Sequence, residues 1–349
     1  MFIQLPPAPV SWADYTMTQL RRKRYQACEK ELAGLPQHTL FDDAVTDAEA
    51  ESFFRCSWYA AEEKRAALHS IESLRVRVLT ELPASMALLT PEEHDLMVRA
   101  VLFRGHMPLV HPESLFPAVS IVRRLWGRVD CSSPVRRLDI PSQVCLSAML
   151  SMASDGYRER HEEFTRIYET VDNTLYLAGM MSAESVMQDL ASPFLQTTPP
   201  AELPAICRIA LRAGFETICA GNGKLLLVHP GLANPQSLMR RSGNLQESAP
   251  GDLNAFELSS AYSSLTEIED PLYDKLLGLI QDLCREGSSA EDTVEDLIIL
   301  IKQGADFASL REVLQSSLVC LPTPEMNSAL REMMERIPRW STLQMGAVQ

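Results

Sequence analysis

Four times in this chain a serine or threonine is followed within three residues by acids, and twice by a proline, just ahead of a run rich in apolar side chains. The segments are Thr46-Asp47-Ala48-Glu49, Thr90-Pro91-Glu92-Glu93, Ser289-Ala290-Glu291-Asp292 and Thr323-Pro324-Glu325. The hydroxyl accepts from orphan N–H groups of a first helical turn, the acid suits the positive end of the helix dipole, and proline at the first helical position forfeits no bond. A chain punctuated in this way is committed to helices.

Asp47 to Leu82 reads as one helix stopped by Pro83, with Phe54, Trp58, Ala61, Leu68, Ile71, Val78 and Leu82 on one stripe. Lys64, Arg65, Glu72 and Arg75 break any strict heptad, so a bundle helix is expected rather than a coiled coil. Further helices are expected over Trp12 to Ala33, Pro91 to Arg104, Ser114 to Trp126, Pro141 to Ala153, Tyr157 to Val171 and Ser182 to Leu190, with short breaks that suit antiparallel packing.

Ser192 to Pro204 holds four prolines in thirteen residues and reads as a linker. Beyond it a helix from Leu203 to Ala213 leads into two apolar runs, Phe215 to Ala220 and Lys224 to His229, around Gly221-Asn222-Gly223, a β-hairpin signal. Gly231 to Ser264 is rich in Gly, Asn, Ser and Pro and is expected to be a flexible connection. Helices return at Leu272 to Cys284, Glu291 to Gln303, Phe307 to Val319 and Glu325 to Ile337.

The expected fold is mainly α. Residues 1–191 form a multi-helix N-terminal domain, 192–204 a Pro-rich linker, 205–230 a small α+β unit with one β-hairpin, 231–264 the flexible connection and 265–340 an acidic C-terminal helical bundle. At 349 residues the chain is long enough for two or three cores, and no apolar run approaches the ~18 residues that a spanning helix needs. The N-terminal segment lacks the basic start and cleavage site of a secretory signal. Eight scattered cysteines, none in a CxxC pair, read as free thiols of a cytoplasmic protein.

Charge is unevenly placed. Residues 250–349 carry 17 acidic against 7 basic side chains, a net −10 of the chain's −14. From Arg104 to Arg137, six arginines face only Glu113 and Asp130, and over the whole chain Arg outnumbers Lys by 26 to 6. Arginine's planar fork suits carboxylates and phosphates better than lysine does. Arg123, Arg124, Arg128, Arg136 and Arg137 are therefore the candidate partner-binding residues, weighed against the plainer reading that they cap helices and pair with nearby acids.

Catalytic templates fail one by one. His106 and His111 lack further ligands at metal-site spacing, and Thr165 stands where a zinc helix beginning His161-Glu162 would need its second His. Gly221-Asn222-Gly223-Lys224 has Ile218 in place of the first P-loop glycine and Leu225 after the lysine. No nucleophile elbow appears. No catalytic, cofactor-binding or metal-binding residue is assigned, and no cofactor is implied.

The expected function is that of a non-enzymatic cytoplasmic adaptor, chaperone-like or regulatory protein. Its partner is another protein, or a second copy met through the acidic C-terminal bundle. The alternatives are a nucleic-acid-associated regulator using the arginine patch, which the acidic pI disfavours, and an enzyme whose site draws on His229, Glu216 and Lys224.

Overall fold

The computed structural model describes residues 16–62, 70–194, 203–219, 224–235, 238 and 255–340. The fold is mainly α, with two small three-stranded antiparallel sheets. Contacts divide the chain into two compact units, one drawn from Arg24–Val171 and Val186–Thr217, the other from Met1–Lys23, Asp172–Ser185 and Ile218–Gln349.

The first unit takes the second part of α1 (Met17–Leu32), then α2 (Asp47–Cys56), α3 (Tyr59–Glu62), α4 (Ile71–Ala87), α5 (Pro91–Leu102), α6 (Leu115–Arg123) and α7 (Ser142–Met152). It also takes α8 (Tyr157–Ala178) as far as Val171, most of α9 (Glu184–Ala191), and α10 (Leu203–Gly214). Leu74, Val78 and Leu82 of α4 are buried together with Val144 and Ala148 of α7 and Ile206 and Ala210 of α10, and α4 packs on both partners. Helix starts follow the motifs read from sequence. Thr90 Oγ1 accepts from the Glu93 N–H at 3.2 Å while the Glu93 carboxylate accepts from the Thr90 N–H at 3.0 Å, with Pro91 between them in the first helical position.

The expectation of one helix from Asp47 to Leu82 is corrected in its interior and at its C-terminal end. After Cys56 the chain turns extended at Ser57, whose hydroxyl donates to the Phe54 carbonyl at 2.6 Å, and the Trp58 N–H leaves for the Arg123 carbonyl at 2.9 Å. These bonds compete with the helical ladder and win. Pro83, expected to stop the helix, lies inside α4. A mid-helix proline costs about 3 kcal/mol; here burial of Ala84, Met86, Ala87, Leu88 and Leu89 offsets it.

Sequence reading missed the sheet of this unit. Strands β1 (His106–Pro108) and β2 (Arg128–Asp130) flank β3 (Arg137–Asp139), with Met107 and Val129 both opposite Leu138. β1 and β2 bury only their central residue and β3 buries Leu138 and Asp139, runs too short for alternation to stand out. Gly105, at φ +86°, seats β1: its N–H reaches the Ala100 carbonyl, its carbonyl accepts from Ile140, and a Cβ there would overlap the Ile140 carbonyl.

The second unit holds β4 (Met180–Ser182) and β6 (Leu225–Val228), which pair antiparallel, with β5 (Glu216–Cys219) on the far side of β6. The expected hairpin is thus two strands of a three-stranded sheet, and its Gly221-Asn222-Gly223 turn lies outside the described residues. A helical bundle follows: α11 (Ala255–Ile280), α12 (Ala290–Gln303), α13 (Phe307–Ser317) and α14 (Pro324–Arg336). Its core runs through Leu272, Leu276, Val294, Leu297, Ile301, Leu310, Leu314, Leu330 and Met333. Ser289, Asp306 and Thr323 cap the last three helices, and Gly304 closes α12 in the left-handed conformation. α11 starts ten residues before the end of the stretch read as a connection; residues 236–237 and 239–254 of that stretch lie outside the described residues, as do 195–202 of the Pro-rich segment.

Candidate functional site

Four of the five candidate arginines lie on one side of the first unit, around the small sheet and α1. Arg123, at the end of α6, approaches Glu31 at 3.1 Å and stacks 3.6 Å from the centre of the Trp58 ring. Arg128 opens β2, donating to the Gln37 carbonyl and to Asp139 at 3.2 Å. Arg136 reaches Glu29 at 2.6 Å and the Tyr25 hydroxyl at 3.3 Å, and Arg137 bonds Asp139 at 2.7 Å and Asp130 at 3.2 Å.

Arg124 departs from the expected surface cluster. It is 2% exposed, and its guanidinium meets the equally buried Glu93 at 3.1 Å. Leu125, which follows it, sits in the left-handed region at φ +63°, and the Trp126 N–H bonds back to the Ile121 carbonyl. This reversal turns Arg124 inward at the end of α6, and its charge serves the core of the unit.

Asp139, on the central strand, gathers the sheet's charges. Its carboxylate takes His106 Nδ1 at 2.9 Å together with Arg128 and Arg137. Burial alone would raise its pKa, but the hydrogen bonds from Arg137 and His106 and the two arginine charges outweigh that and hold it low. The helix that supplies Glu29 and Glu31 also carries Arg21, Arg22, Lys23, Arg24 and Lys30, so the two segments stay basic after pairing.

Beside Arg136 opens a cleft of about 400 Å³. Its apolar lining comes from Leu109, Val110, Pro112, Leu115 and Pro134, and its polar lip from Tyr25, His111, Cys131, Ser133 and Arg136. Val110 is 69% exposed and nearby Val135 52%. The size falls within the range of ligand pockets, and more of the cleft's exposed lining is polar than apolar. Sequence reading found Arg136 but not the cleft, because the loops that form its walls are brought together only by pairing of β1 and β2 with β3.

The second unit carries a different charge cluster. Lys302 is fully buried, its Nζ 3.0 Å from Glu269 Oε1 and 3.7 Å from the centre of the Tyr176 ring. The Tyr176 hydroxyl donates to the other oxygen of Glu269, and the Tyr176 carbonyl accepts from Trp340 Nε1 at 2.9 Å. Burial lowers the Lys302 pKa against the opposing pull of Glu269. His229, whose Nδ1 accepts from the Gly231 N–H at 3.1 Å, stands 5.3 Å from the Trp340 ring. Burial, then the Lys302 charge, lowers its pKa to about 4. Its ring is packed inward rather than presented to a substrate. Of the other enzyme candidates, Glu216 lies on β5 with the first unit and Lys224 leads into β6 in the second.

His161 stacks on His94 with ring centres 4.1 Å apart, and burial lowers both their pKa values. Among the described residues, no group of three or more His, Cys, Asp or Glu side chains is placed to hold a metal ion, and no helix is long and apolar enough to cross a membrane. All eight cysteines are free thiols. The chain matches no protein-family model, no curated protein and no solved structure.

Proposed function

We propose that this protein is a non-enzymatic adaptor, chaperone-like or regulatory protein of the cytoplasm, and that it binds another protein in the cleft bordered by Tyr25, His111 and Arg136. The observation that carries the reading is that cleft, where aliphatic side chains stand beside Tyr25 and Arg136 in a basic stretch of an otherwise acidic chain. Tyrosine and arginine beside aliphatic side chains are the composition of protein-binding hot spots, where the apolar part supplies affinity and the charge supplies orientation. The eight free thiols support a reducing compartment.

Protein is favoured over nucleic acid because the arginine forks are already engaged. A phosphate backbone would have to displace Glu29, Asp130 and Asp139 from Arg136, Arg137 and Arg128, whereas an apolar anchor from a protein displaces nothing. The test is affinity capture with the intact protein, Val110→Asp and Arg136→Glu at low and moderate salt, identifying protein and nucleic acid alike. A defined protein retained by the intact chain and lost by both variants is the expected result. Nucleic acid released by salt, or a partner indifferent to both substitutions, would overturn it.

A further inference from the structure

Building on the cleft reading, we propose that the cleft receives a second copy of this chain, which inserts the loop between α13 and α14. That loop presents large apolar side chains to solvent. Val319 is 65% exposed and Leu321 66%, on either side of the exposed Cys320. Its base is fixed: Leu318 is fully buried, the Val319 N–H bonds the Leu283 carbonyl at 2.9 Å, and Arg285 donates from its backbone to Ser317 and from Nε to the Leu318 carbonyl. Pro322 and Pro324 stiffen the exit. A loop held in place loses little entropy on binding, which is what an apolar anchor needs.

The charges are complementary. Exposed Asp282 and Glu286 adjoin the turn to which the loop is bonded and exposed Glu325 follows the loop, set against Arg285. None of these three carboxylates makes an ion pair within the described residues. Beside the cleft, one residue before Tyr25, stands Arg24, whose guanidinium lies 4.8 Å from the Phe116 ring and is paired with no carboxylate among the described residues. The acidic C-terminal hundred residues of one molecule thus meet the basic surface of another, which also steers the encounter. Loop and cleft are different surfaces, so the contact is heterologous. It closes into a ring or grows with concentration unless geometry brings both loops of a pair into both clefts.

Sedimentation velocity across micromolar concentrations at low and moderate salt tests this. The intact chain is expected to self-associate, less so in salt, while Leu321→Asp and Val110→Asp each stay monomeric with unchanged circular dichroism. Val319→Ser with Leu321→Ser gives a second, uncharged loop variant with the same expected outcome. An equimolar mixture of Leu321→Asp and Val110→Asp should form a one-to-one dimer, because one partner keeps an intact cleft and the other an intact loop. A monomeric intact chain, association indifferent to the substitutions, or a mixture that stays monomeric would overturn the proposal. If capture still gives a different protein lost by Val110→Asp, only the second-copy inference fails; if capture too is indifferent, the cleft reading fails with it.

Discussion

The Arg136 surface of the first unit and the Lys302 cluster of the second are built from the same chemistry, a cation on a carboxylate beside an aromatic ring, and they serve opposite ends. Arg136, Glu29 and Tyr25 sit at the lip of an open cleft, where water already solvates both charges and the pair adds little to stability. Lys302 and Glu269 are closed off from water, so each charge depends on the other and on the neutral Tyr176 hydroxyl that donates to Glu269. Exposure, rather than pairing distance, decides which cluster is available to a partner. Arg124 makes the point within a single run of sequence: it adjoins Arg123, yet it belongs with Lys302 in kind.

The largest expected effect comes from breaking a buried pair on one side only. Glu269→Ala or Lys302→Ala should destabilise the second unit by about 3–5 kcal/mol, because each leaves an uncompensated buried charge. Arg124→Ala should do the same to the first unit. The double replacement Glu269→Leu with Lys302→Met should cost less than either single alanine, since it removes both charges and keeps the volume. Chemical denaturation followed by circular dichroism checks all four, with the two units allowed to unfold separately.

Acid should act next. His229 is neutral in the fold with a pKa of about 4, and an unfolded histidine titrates near 6.5. The unfolded chain therefore binds the extra proton in that window, and stability falls as pH drops from 6.5 toward 4, by about 3 kcal/mol at most. His94 and His161, lowered in the same direction, add to the loss in the first unit. Above pH 7 none of the three contributes a slope. Unfolding of His229→Gln across this range should show a shallower acid dependence, and an unchanged slope would place the titration elsewhere.

The smallest effect on stability is expected at the cleft. Arg136→Glu should shift the melting midpoint by no more than about 3 °C, as an exposed pair implies, while abolishing partner capture. Gly105→Ala would sharpen the distinction from the other side. A methyl group there meets the Ile140 carbonyl at a positive φ, so this substitution should disturb β1 and bring binding and stability down together.

Much of the helical framework was legible in the sequence, because capping depends on neighbours within one turn. Thr90 with Glu93 and Ser289 with Asp292 are read from spacing alone, as is the helix start at Thr323-Pro324-Glu325. The long helix from Asp47 was misjudged because its break rests on Trp58 bonding Arg123, a partner far along the chain. The same limit hid the cleft and Asp139, which exist only once β3 lies between β1 and β2. Lys302 did leave a trace: with Val294 and Ile298 it occupies positions i, i+4 and i+8 on a buried helix face. A lysine in that register needs a partner, but nothing local points to Glu269.

The most direct measurement of the central claim places Arg136→Glu beside Arg124→Glu, with unfolding and partner capture measured on each. Arg136→Glu should fold as the intact chain does and lose its partner, whereas Arg124→Glu should lose the fold of the first unit. If Arg136→Glu instead unfolds the protein, or folds and keeps its partner, the Arg136 cleft is not the interaction surface.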